Sequence, residues 1–397
     1  MSENVAIIGQ GYVGLPLAME ISNAKFNVVG IDIDYKLVST LNSGRSVIED
    51  VHNNMVKAAL DSGNYRASNE YSDLRKSNFI LICVPTPISN DNKPDLSFLL
   101  SAVVSVAQNL QRGSTVIIES TVEPGTTRDI ILPLLKKNSG LTEKDFYLAF
   151  SPERIDPANK KWTVSNTPKL VSGLTLEALN NAYDFYSQFI QVVHKCDSLE
   201  VAETAKLLEN TFRFVNISFI NELSIFCKKL GIDINSVIEA ASTKPYGFMA
   251  FYPSIGIGGH CIPVDPLYLA NKARKLGAST RFIDLADQIN QETPLYFVRR
   301  AEEKLGGLKN KRVLVIGVSY KPNVADVRET PVEKLISELK KNGAHVLWHD
   351  NLVKEWNGEE SVALSSNFDL AVIATPHDYL DLTKLGNVPI LNTRGSI

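Results

Sequence analysis

The sequence predicts an α/β protein with two Rossmann-like, doubly wound domains joined by a central helical domain with a long helix. Short β-branched runs alternate with helical patterns in the first third, one long helical pattern follows, and the opening rhythm returns near the end. Alternating strands and helices favour a parallel sheet covered on both faces. The 397 residues exceed one ordinary core, so we expect domains at 1–196, 197–300 and 301–397.

The first domain is predicted from four apolar runs, each of which ends in a loop signal. In chain order they are Val5–Ile8, Val28–Asp32, Phe79–Val84 and Thr115–Glu119. In such sheets, ligands bind in the crevice beyond the carboxyl ends of the strands. The loops GQG, DID, PTP and STVEPG are therefore where we expect a ligand site.

The central helix is predicted to run from Ser198 to Leu230, with Gly231 as its stop signal. Apolar residues lie around much of its circumference, so several of its faces must be covered. Two arrangements satisfy this requirement. The helix packs against a second subunit, which predicts a homodimer, or it is buried inside one large domain.

The last domain repeats the pattern of the first. Its predicted strands are Arg312–Gly317, His345–Asp350, Leu370–Thr375 and Pro389–Leu391. The segment VLVIG matches the earlier VAIIG, but VSYKPN follows Gly317 and no GxGxxG forms. The two α/β domains therefore need not bind the same ligand.

Composition excludes several classes of function. The formal net charge is −3, so no bulk positive field attracts nucleic acid or an anionic membrane. The first residues lack a signal-peptide pattern, and no apolar run approaches the ~20 residues of a membrane span. We therefore expect a cytoplasmic protein.

The four cysteines lack metal-ligand spacing and the six histidines do not cluster, so no metal is expected.

A dinucleotide site is predicted at Gly9, Gly11 and Gly14, which form GxGxxG directly after the first strand. These glycines permit a tight turn, close approach of a pyrophosphate, and packing of the next helix on the strand. Asp32 follows 18 residues after Gly14 and can accept both ribose hydroxyls. Its charge would repel a 2′-phosphate, which favours NAD over NADP. The alternative is a structural glycine turn with a solvated Asp32.

The stretch SIGIGGHCIPVDP at 254–266 contains a candidate nucleophile, Cys261. Its glycines let backbone approach a ligand, and its prolines suit the start of a helix. A thiol near a helix N-terminus ionises more readily to the nucleophilic thiolate. Taken alone, Cys261 also fits a buried, inert cysteine, and Asp265 fits an N-cap before Pro266. His260 fits packing better than catalysis.

Three polar residues share one face of the central helix. Glu203, Lys206 and Asn210 are spaced i, i+3 and i+7, and Lys206 and Asn210 can both point at a developing oxyanion. The alternative is a solvated face with a Glu203–Lys206 ion pair.

Two loops at predicted strand ends carry further candidates. STVEPGTT contains Thr121 and Glu123, and FSPERIDP contains Glu153 and Arg154. Each is compatible with ordinary turn chemistry. Their position at strand ends favours a functional use.

Seven motifs span nearly the whole chain: GQGYVGLPLA, CVPTP, STVEPGTT, SPERIDP, AETAKLLEN, GIGGHCIPVDP and SYKPNVADVRETP. In this order they resemble the motifs of the UDP-sugar 6-dehydrogenases, the family of UDP-glucose and UDP-N-acetylhexosamine dehydrogenases. Their joint occurrence is more specific than any single motif.

The resemblance implies a four-electron oxidation of the C6 hydroxyl of a UDP-sugar to a carboxylate, with NAD as the hydride acceptor. Cys261 matches the family nucleophile, which forms a thiohemiacetal with the aldehyde and then a thioester that water releases. Lys206 matches the lysine that stabilises the oxyanion, and Asn210 the asparagine that holds substrate and intermediate. Asp265 matches the aspartate that supports water and the lysine.

Thr121 and Glu153 match the threonine and glutamate of the family's water and proton network. The resemblance also implies the ligand contacts. The expected NAD contacts are Gly9, Gly11, Tyr12, Val13, Gly14, Asp32, Lys36, Pro85, Thr86 and Thr121. The expected substrate contacts are Glu153, Arg154, Lys206, Asn210, Tyr252, Gly258, Lys321 and Arg328. The last two lie in the domain that holds the uridine end in the family, where cations suit a diphosphate.

The sugar is inferred from two segments. SPERIDP and STKPYGFMAFYP resemble the N-acetylhexosamine branch, and the second is most similar to UDP-N-acetylglucosamine 6-dehydrogenases. This implies UDP-GlcNAc as substrate, with UDP-GalNAc or UDP-ManNAc next, and a role in polysaccharide precursor synthesis. Three departures bear on substrate closure: Ser254 where glycine is common, Asn392 in place of an acidic residue, and a short tail ending at Ile397.

Two other functions compete with this interpretation. A two-electron hydroxyacid dehydrogenase shares the architecture and a Lys–Asn pair on a similar helix. It needs no nucleophilic thiol, so GGHC argues against it. A non-catalytic nucleotide-sugar sensor would have a degenerate site, whereas the matched catalytic set is intact here.

Overall fold

The computed structural model describes residues 3–48, 50–89, 93–156, 159, 161–378 and 380–395. The chain divides into two compact units, Met1–Leu208 and Glu209–Ile397. The domain boundaries predicted after residues 196 and 300 stay a prediction.

Eight strands form the sheet of the first unit. They are β1 (Asn4–Ile8), β2 (Asn27–Ile31), β3 (Tyr65–Ser68), β4 (Phe79–Ile82), β5 (Thr115–Ile118), β6 (Tyr147–Phe150), β7 (Lys169–Gly173) and β8 (Val193–Lys195). Their order is β3-β2-β1-β4-β5-β6-β7-β8. Neighbouring strands are parallel except β6 and β7. The strand order reverses between β1 and β4, so the loops after these strands border one crevice.

Helices cover both faces of this sheet. They are α1 (Gly14–Asn23), α2 (Tyr35–Asn42), α3 (Asn53–Asp61), α4 (Ser97–Ala107), α5 (Leu132–Ser139) and α6 (Leu176–Tyr186), with short helical turns at Tyr71–Lys76 and Thr127–Ile131. Successive side chains of a strand point to opposite faces. Accordingly, Val5 and Ile7 pack with α1, α3 and α6, whereas Ala6 and Ile8 pack with α4 and α5. The predicted two-sided parallel sheet is confirmed.

The long central helix, α7, runs from Leu199 to Leu230, one residue short of the predicted start. Gly231 follows with φ +75°, a left-handed conformation that glycine adopts without steric cost. At about 1.5 Å per residue, a helix of 32 residues is roughly 48 Å long. Even so, no helix of the described residues is long and apolar enough to cross a membrane. The cytoplasmic location stays a prediction.

The second unit carries a parallel sheet in the order β10-β9-β13-β14. Its strands are β9 (Arg312–Ile316), β10 (His345–His349), β13 (Leu370–Ile373) and β14 (Ile390–Asn392), with a separate hairpin of β11 (Glu355–Trp356) and β12 (Glu359–Glu360). The helices after α7 are α8 (Ile234–Ser242), α9 (Asp265–Lys275), α10 (Arg281–Leu305) and α11 (Val332–Lys341), and a short turn spans Leu382–Leu385. The four strands predicted in this part of the chain are confirmed.

The two sheets repeat one turn at the end of their first strand. Gly9 and Gly317 have φ values of +90° and +82°. The N–H of Gly9 donates to the Ile31 carbonyl at 2.7 Å, and the N–H of Gly317 donates to the His349 carbonyl at 2.8 Å. The internal likeness predicted from VAIIG and VLVIG therefore extends to backbone geometry.

Candidate active site

The glycine turn after β1 has one open face. A Cβ atom on Gly9 would lie 2.7 Å from the Cys83 carbonyl oxygen, and one on Gly14 would lie 1.8 Å from the Gly9 carbonyl oxygen. At Gly11 nothing lies within 4 Å of the Cβ position. The turn therefore packs on protein at two glycines and leaves the third open beside the N-terminus of α1, where a pyrophosphate can bind.

Asp32 is held by backbone at the end of β2. Its Oδ2 accepts the Gln10 N–H at 2.7 Å, and its Oδ1 accepts the Asp34 N–H at 3.0 Å. Each carboxylate oxygen has a second lone pair, so the oriented group can still accept a ribose hydroxyl. The open glycine and this carboxylate fit an NAD molecule.

The other predicted NAD contacts follow the carboxyl ends of β1, β2, β4 and β5, in loops or, for Lys36, in the first turn of α2. Tyr12, Lys36 and Pro85 are exposed, Val13 and Thr121 are half-buried, and Thr86 is buried. In parallel strands these ends share one edge of the sheet. The structure thus gathers the predicted set at one edge.

Gln10 braces the glycine turn, and sequence reasoning missed it. Its side chain is fully buried, donates to the carbonyls of Ile7 and Gly9 at 3.0 and 3.1 Å, and accepts from the Tyr65 hydroxyl at 2.9 Å. A Cβ atom on Gly30 would lie 2.3 Å from Gln10 Oε1. The available signal was Gly30 inside a predicted strand, which marks a close approach.

Glu203 anchors the loop that carries Thr121. Its carboxylate accepts the N–H groups of Gly125 and Thr127 at 2.6 and 2.9 Å and is completely buried. Burial raises the pKa of Glu203, and the hydrogen bonds from Thr127 and Gly125 oppose that rise. A solvated Glu203, the alternative in the sequence interpretation, is therefore wrong.

Glu153 and Lys206 form a largely buried ion pair in the first unit. Lys206 Nζ, on α7, lies 3.6 Å from Glu153 Oε2, with side-chain exposures of 7% and 12%. Glu153 follows β6, and its other oxygen accepts the Ile155 N–H. The neighbouring Arg154 donates to the Pro168 carbonyl at 2.6 Å. The structure thus brings Glu153 and Lys206 together as one ion pair.

A buried ion pair contacts the loop that carries Glu153. Glu119 accepts from Lys169 Nζ at 2.7 Å and from the Tyr186 hydroxyl. Lys169 Nζ also donates to the carbonyl of Pro152, directly before Glu153, at 3.4 Å. Burial raises the pKa of Glu119, and Lys169 and Tyr186 act against that rise. None of these partners was singled out from the sequence.

Asn210 and Asp265 form a buried hydrogen-bonded pair in the second unit. Asn210 Nδ2 donates to Asp265 Oδ2 at 2.5 Å, and both residues are buried. Asp265 opens α9, but Val264 occupies the N-cap position and no side chain caps the helix. The interpretation of Asp265 as a helix cap is therefore wrong. Its carboxylate orients Asn210, which lies four residues beyond Lys206 on α7.

Cys261 differs from the other cysteines of the chain. It is exposed, whereas Cys83, Cys196 and Cys227 are buried, so the interpretation of Cys261 as a buried residue is wrong. Its carbonyl accepts the N–H groups of Val264 and Asp265 at 3.1 and 2.9 Å, one turn before α9. Cys261 therefore lies about one turn before the N-terminus of α9, as the sequence predicts.

The glycines before Cys261 pack on the loop after β9. A Cβ atom on Gly258 would lie 2.6 Å from the Glu329 carbonyl oxygen, and one on Gly259 would lie 2.8 Å from the Tyr320 ring. The Gly259 N–H also donates to the Arg328 carbonyl at 3.1 Å. This close approach requires glycine and joins two of the predicted motifs within the second unit.

Lys321 and Arg328, the two cationic residues predicted to bind substrate, lie in the loop after β9 and differ in their surroundings. The Arg328 guanidinium pairs with Asp326 at 2.5–3.0 Å, and these bonds hold the Asp326 pKa down against burial. Lys321 is half-buried, and Tyr252, also predicted to contact substrate, is 54% exposed. Burial and Arg328 lower the pKa of His260, which keeps it neutral and agrees with a packing role.

Two of the departures from the family pattern have structural counterparts. Ser254 Oγ donates to the Gly256 carbonyl at 2.9 Å and accepts the Gly256 N–H at 3.3 Å, which ties the loop to itself. Asn392 Oδ1 accepts the Arg394 N–H at 2.9 Å, a bond that an acidic side chain also makes. Residues 396 and 397, where the tail was predicted to be short, lie outside the described residues.

Comparison with known families gives the class of protein. Residues 3–190 match the NAD binding domain of the UDP-glucose/GDP-mannose dehydrogenase family, residues 200–292 its central domain, and residues 314–393 its UDP binding domain. The chain belongs to the UDP-glucose/GDP-mannose dehydrogenase family. It is an NAD-dependent UDP-sugar dehydrogenase with a UDP-sugar binding domain, which confirms the predicted family, fold and cofactor.

Individual relatives cover nearly the whole chain. It is 39% identical to Protein CapL of Staphylococcus aureus over 97% of this chain and 92% of that protein. It is 35% identical to a UDP-N-acetyl-D-glucosamine 6-dehydrogenase of Salmonella typhi over 94% and 89%. The solved UDP-D-ManNAc dehydrogenase from Pyrococcus horikoshii superposes with a TM-score of 0.91 at 31% identity, covering 98% and 95%. The two relatives whose names state a sugar differ in it: one is named for UDP-N-acetyl-D-glucosamine and the other for UDP-D-ManNAc.

Proposed function

We propose that the protein oxidises the C6 hydroxyl of a UDP-N-acetylhexosamine to the uronic acid, through a thioester on Cys261. The observation that carries this proposal is the exposure of Cys261 at the end of a glycine-rich loop, while the other three cysteines are buried. A two-electron dehydrogenase has no use for an exposed thiol at this position. NAD, when bound, supplies the hydride acceptor for both oxidations.

In the first oxidation, the C6 hydroxyl must lose a proton as its carbon loses a hydride. Glu153 and Lys206, 3.6 Å apart and largely screened from solvent, are suited to this proton transfer, with Thr121 ordering water. The Lys206 ammonium stabilises the developing alkoxide, which in a buried site is worth far more than in water. The product of this step is an aldehyde.

In the second oxidation, the Cys261 thiolate adds to the aldehyde carbon and forms a carbon–sulfur bond. Lys206 and Asn210 stabilise the resulting oxyanion, and Asn210 is held in place by its 2.5 Å bond to Asp265. Loss of a second hydride leaves a thioester. Water then adds to the thioester carbonyl, the carbon–sulfur bond breaks, and the carboxylate leaves as the thiol is regenerated.

UDP-GlcNAc is the proposed substrate, with UDP-ManNAc, UDP-GalNAc and UDP-glucose as alternatives. The similarity of STKPYGFMAFYP to UDP-N-acetylglucosamine 6-dehydrogenases supports this choice. Several aromatic side chains of this stretch are exposed, Tyr246 at 73% and Tyr252 at 54%. They are available to a sugar or to the uridine base.

A homodimer through α7 is the proposed assembly. Six large apolar side chains of α7 are 45–60% exposed: Val201, Leu208, Phe212, Phe219, Phe226 and Leu230. Steps of seven and four residues keep them within about 20° of one line along the helix. Burial inside one domain does not describe this stripe, because it faces solvent in the single chain. A second copy would cover it symmetrically.

The decisive experiment counts NADH formed per UDP-GlcNAc consumed, with UDP-glucose, UDP-GalNAc and UDP-ManNAc in parallel. A ratio of two with a uronic acid product supports the four-electron chemistry, and the fastest sugar is the substrate. A ratio of one means a simple dehydrogenase in which Cys261 is structural. No turnover with any sugar, while NAD still binds, supports the sensor.

A further inference from the structure

His377, in the loop after β13, is buried and hydrogen-bonded through both ring nitrogens. The Asn323 N–H donates to His377 Nδ1 at 2.9 Å, and His377 Nε2 lies 3.1 Å from Asp350 Oδ2. Because Nδ1 accepts a backbone N–H, the ring proton resides on Nε2 and is donated to Asp350. The imidazole therefore bridges a carboxylate and a backbone amide.

Asp350 is the counterpart of Asp32 in the second sheet. Asp32 accepts the N–H of Gln10, the residue after Gly9, and Asp350 accepts the N–H of Val318, the residue after Gly317, at 2.9 Å. Burial would raise the Asp350 pKa, but bonds from His377 and three backbone N–H groups lower it to about 2. Asp350 is thus a buried acceptor, and His377 contacts the same oxygen, Oδ2, that accepts the Val318 N–H.

The histidine secures the loop that carries Lys321. Asn323, with φ +63°, exchanges two further bonds with Asp378: its Nδ2 donates to Oδ2 at 2.8 Å, and its Oδ1 accepts the Asp378 N–H at 3.1 Å. Thr375 Oγ1 donates to the Ser319 carbonyl at 2.8 Å. The residues on both sides of Lys321 are therefore tied to the loop after β13.

We propose that His377 is a positioning residue for the UDP end of the substrate: by fixing Asn323 against Asp350, it holds Lys321 toward the diphosphate. The inference rests on the proposed assignment of Lys321 to substrate binding. It assigns a role to Asp350, the carboxylate in the second sheet that corresponds to Asp32 in the first. Where Asp32 suits a ribose, Asp350 serves as an internal anchor.

Two variants separate the bonds of the imidazole. His377→Asn places a side-chain oxygen near the Nδ1 position and can still accept the Asn323 N–H, but it does not reach Asp350. His377→Gln places an amide near the Nε2 position and can still donate to Asp350, but it has no acceptor for Asn323. The proposal makes the bond to Asn323 the decisive one.

The measurements are KM for the UDP-sugar, KM for NAD, and the Kd of UDP alone by calorimetry on the purified full chain. We expect His377→Gln to raise the UDP Kd and substrate KM about tenfold, as for a lost buried hydrogen bond, with the NAD KM unchanged. His377→Asn should stay within about threefold, a shift below 1 kcal/mol. Equal effects of both variants, or parallel changes in the NAD KM, would overturn the proposal.

Thr375→Val is the second test should His377→Gln fail to fold, because it cuts the neighbouring tie to Ser319 and should also raise only the substrate KM. An unchanged substrate KM in Thr375→Val would overturn the proposal.

Lys321→Ala tests separately the assumption that Lys321 binds the substrate. If Lys321→Ala leaves the UDP Kd unchanged, the proposed role of Lys321 fails. If it raises the Kd and His377→Gln does not, the positioning role fails.

Discussion

Lys169 Nζ lies 2.7 Å from Glu119 Oε2, and the two side chains are only 11% and 0% exposed. Fifty residues separate them in the sequence. A buried carboxylate is costly unless a partner compensates its charge, and here Lys169 is that partner. The same ammonium contacts the carbonyl before Glu153, so the ion pair joins the stability of the fold to the position of a proposed catalytic group.

Lys169→Met should destabilise the protein by about 3–5 kcal/mol, because the buried Glu119 carboxylate loses its cation and must either stay charged or take up a proton. Urea unfolding measures the change. The double variant Glu119→Gln/Lys169→Met is the control and should recover much of the loss, since it removes both charges. A single variant as stable as the parent would contradict the role of the pair.

The pH dependence of the same variant tests the cause. Burial raises the native pKa of Glu119, and loss of Lys169 raises it further. In the variant, native Glu119 keeps its proton above about pH 4.3, where the unfolded chain has released it. The loss of unfolding free energy caused by Lys169→Met therefore grows as the pH rises above that value and shrinks as the pH falls toward it. A deficit independent of pH between 5 and 8 would exclude an electrostatic origin.

Gly11→Ala and Gly14→Ala should separate ligand binding from folding. The Cβ of Gly11→Ala meets nothing within 4 Å, so stability should hold while the Kd for NAD rises at least about tenfold. The Cβ of Gly14→Ala would lie 1.8 Å from the Gly9 carbonyl oxygen, so unfolding should become easier by about 1–3 kcal/mol or more. Calorimetry with NAD and thermal unfolding distinguish the two outcomes, and a reversed pattern would refute the proposed cradle.

Lys206→Ala should lower kcat by about 10²–10³-fold, because it removes a cation from beside the developing oxyanion. The NAD KM should change little. Lys137→Ala, at an exposed position of α5, is the matched control and should retain full activity. Steady-state kinetics test this, and a kcat within about threefold of the parent would remove Lys206 from the chemistry.

Cys261→Ser should abolish release of the acid while the first oxidation can still occur. A serine hydroxyl is a far weaker nucleophile than a thiolate, so the ratio of NADH to acid should depart from two. Cys227→Ser, at a buried position, controls for general effects of cysteine loss. Mass spectrometry of the products measures the outcome, and normal acid formation would eliminate the thioester.

Phe219→Glu should convert the proposed dimer into a monomer, because it places a charge in the middle of the apolar stripe of α7. Analytical ultracentrifugation reports the mass directly. Leu176→Glu is the control, since Leu176 is 68% exposed on α6, away from the stripe. A monomeric parent, or a dimeric Phe219→Glu variant, would reject α7 as the interface.

The elements predicted from the sequence are those with strong local patterns. β1, β2, β4, β5 and β6 are runs of buried apolar residues, and α7 is a long helical pattern that a glycine ends. β3 (YRAS), β7 (KLVSG) and β8 (VHK) were missed because such short runs with polar residues become strands only by pairing with neighbouring strands. Pairing between distant segments leaves no periodic signal in the segment itself.

The sequence alone determined the fold class, the NAD turn and the motifs that define the family, because each is written in contiguous residues with a fixed spacing. Tertiary structure decided which side chains face one another. In the folded chain Cys261 is exposed, Asp265 accepts a hydrogen bond from Asn210 and does not cap a helix, and Glu203 accepts backbone N–H groups of a distant loop. Such contacts depend on burial and on the direction of each side chain, which are set only when distant parts of the chain pack together.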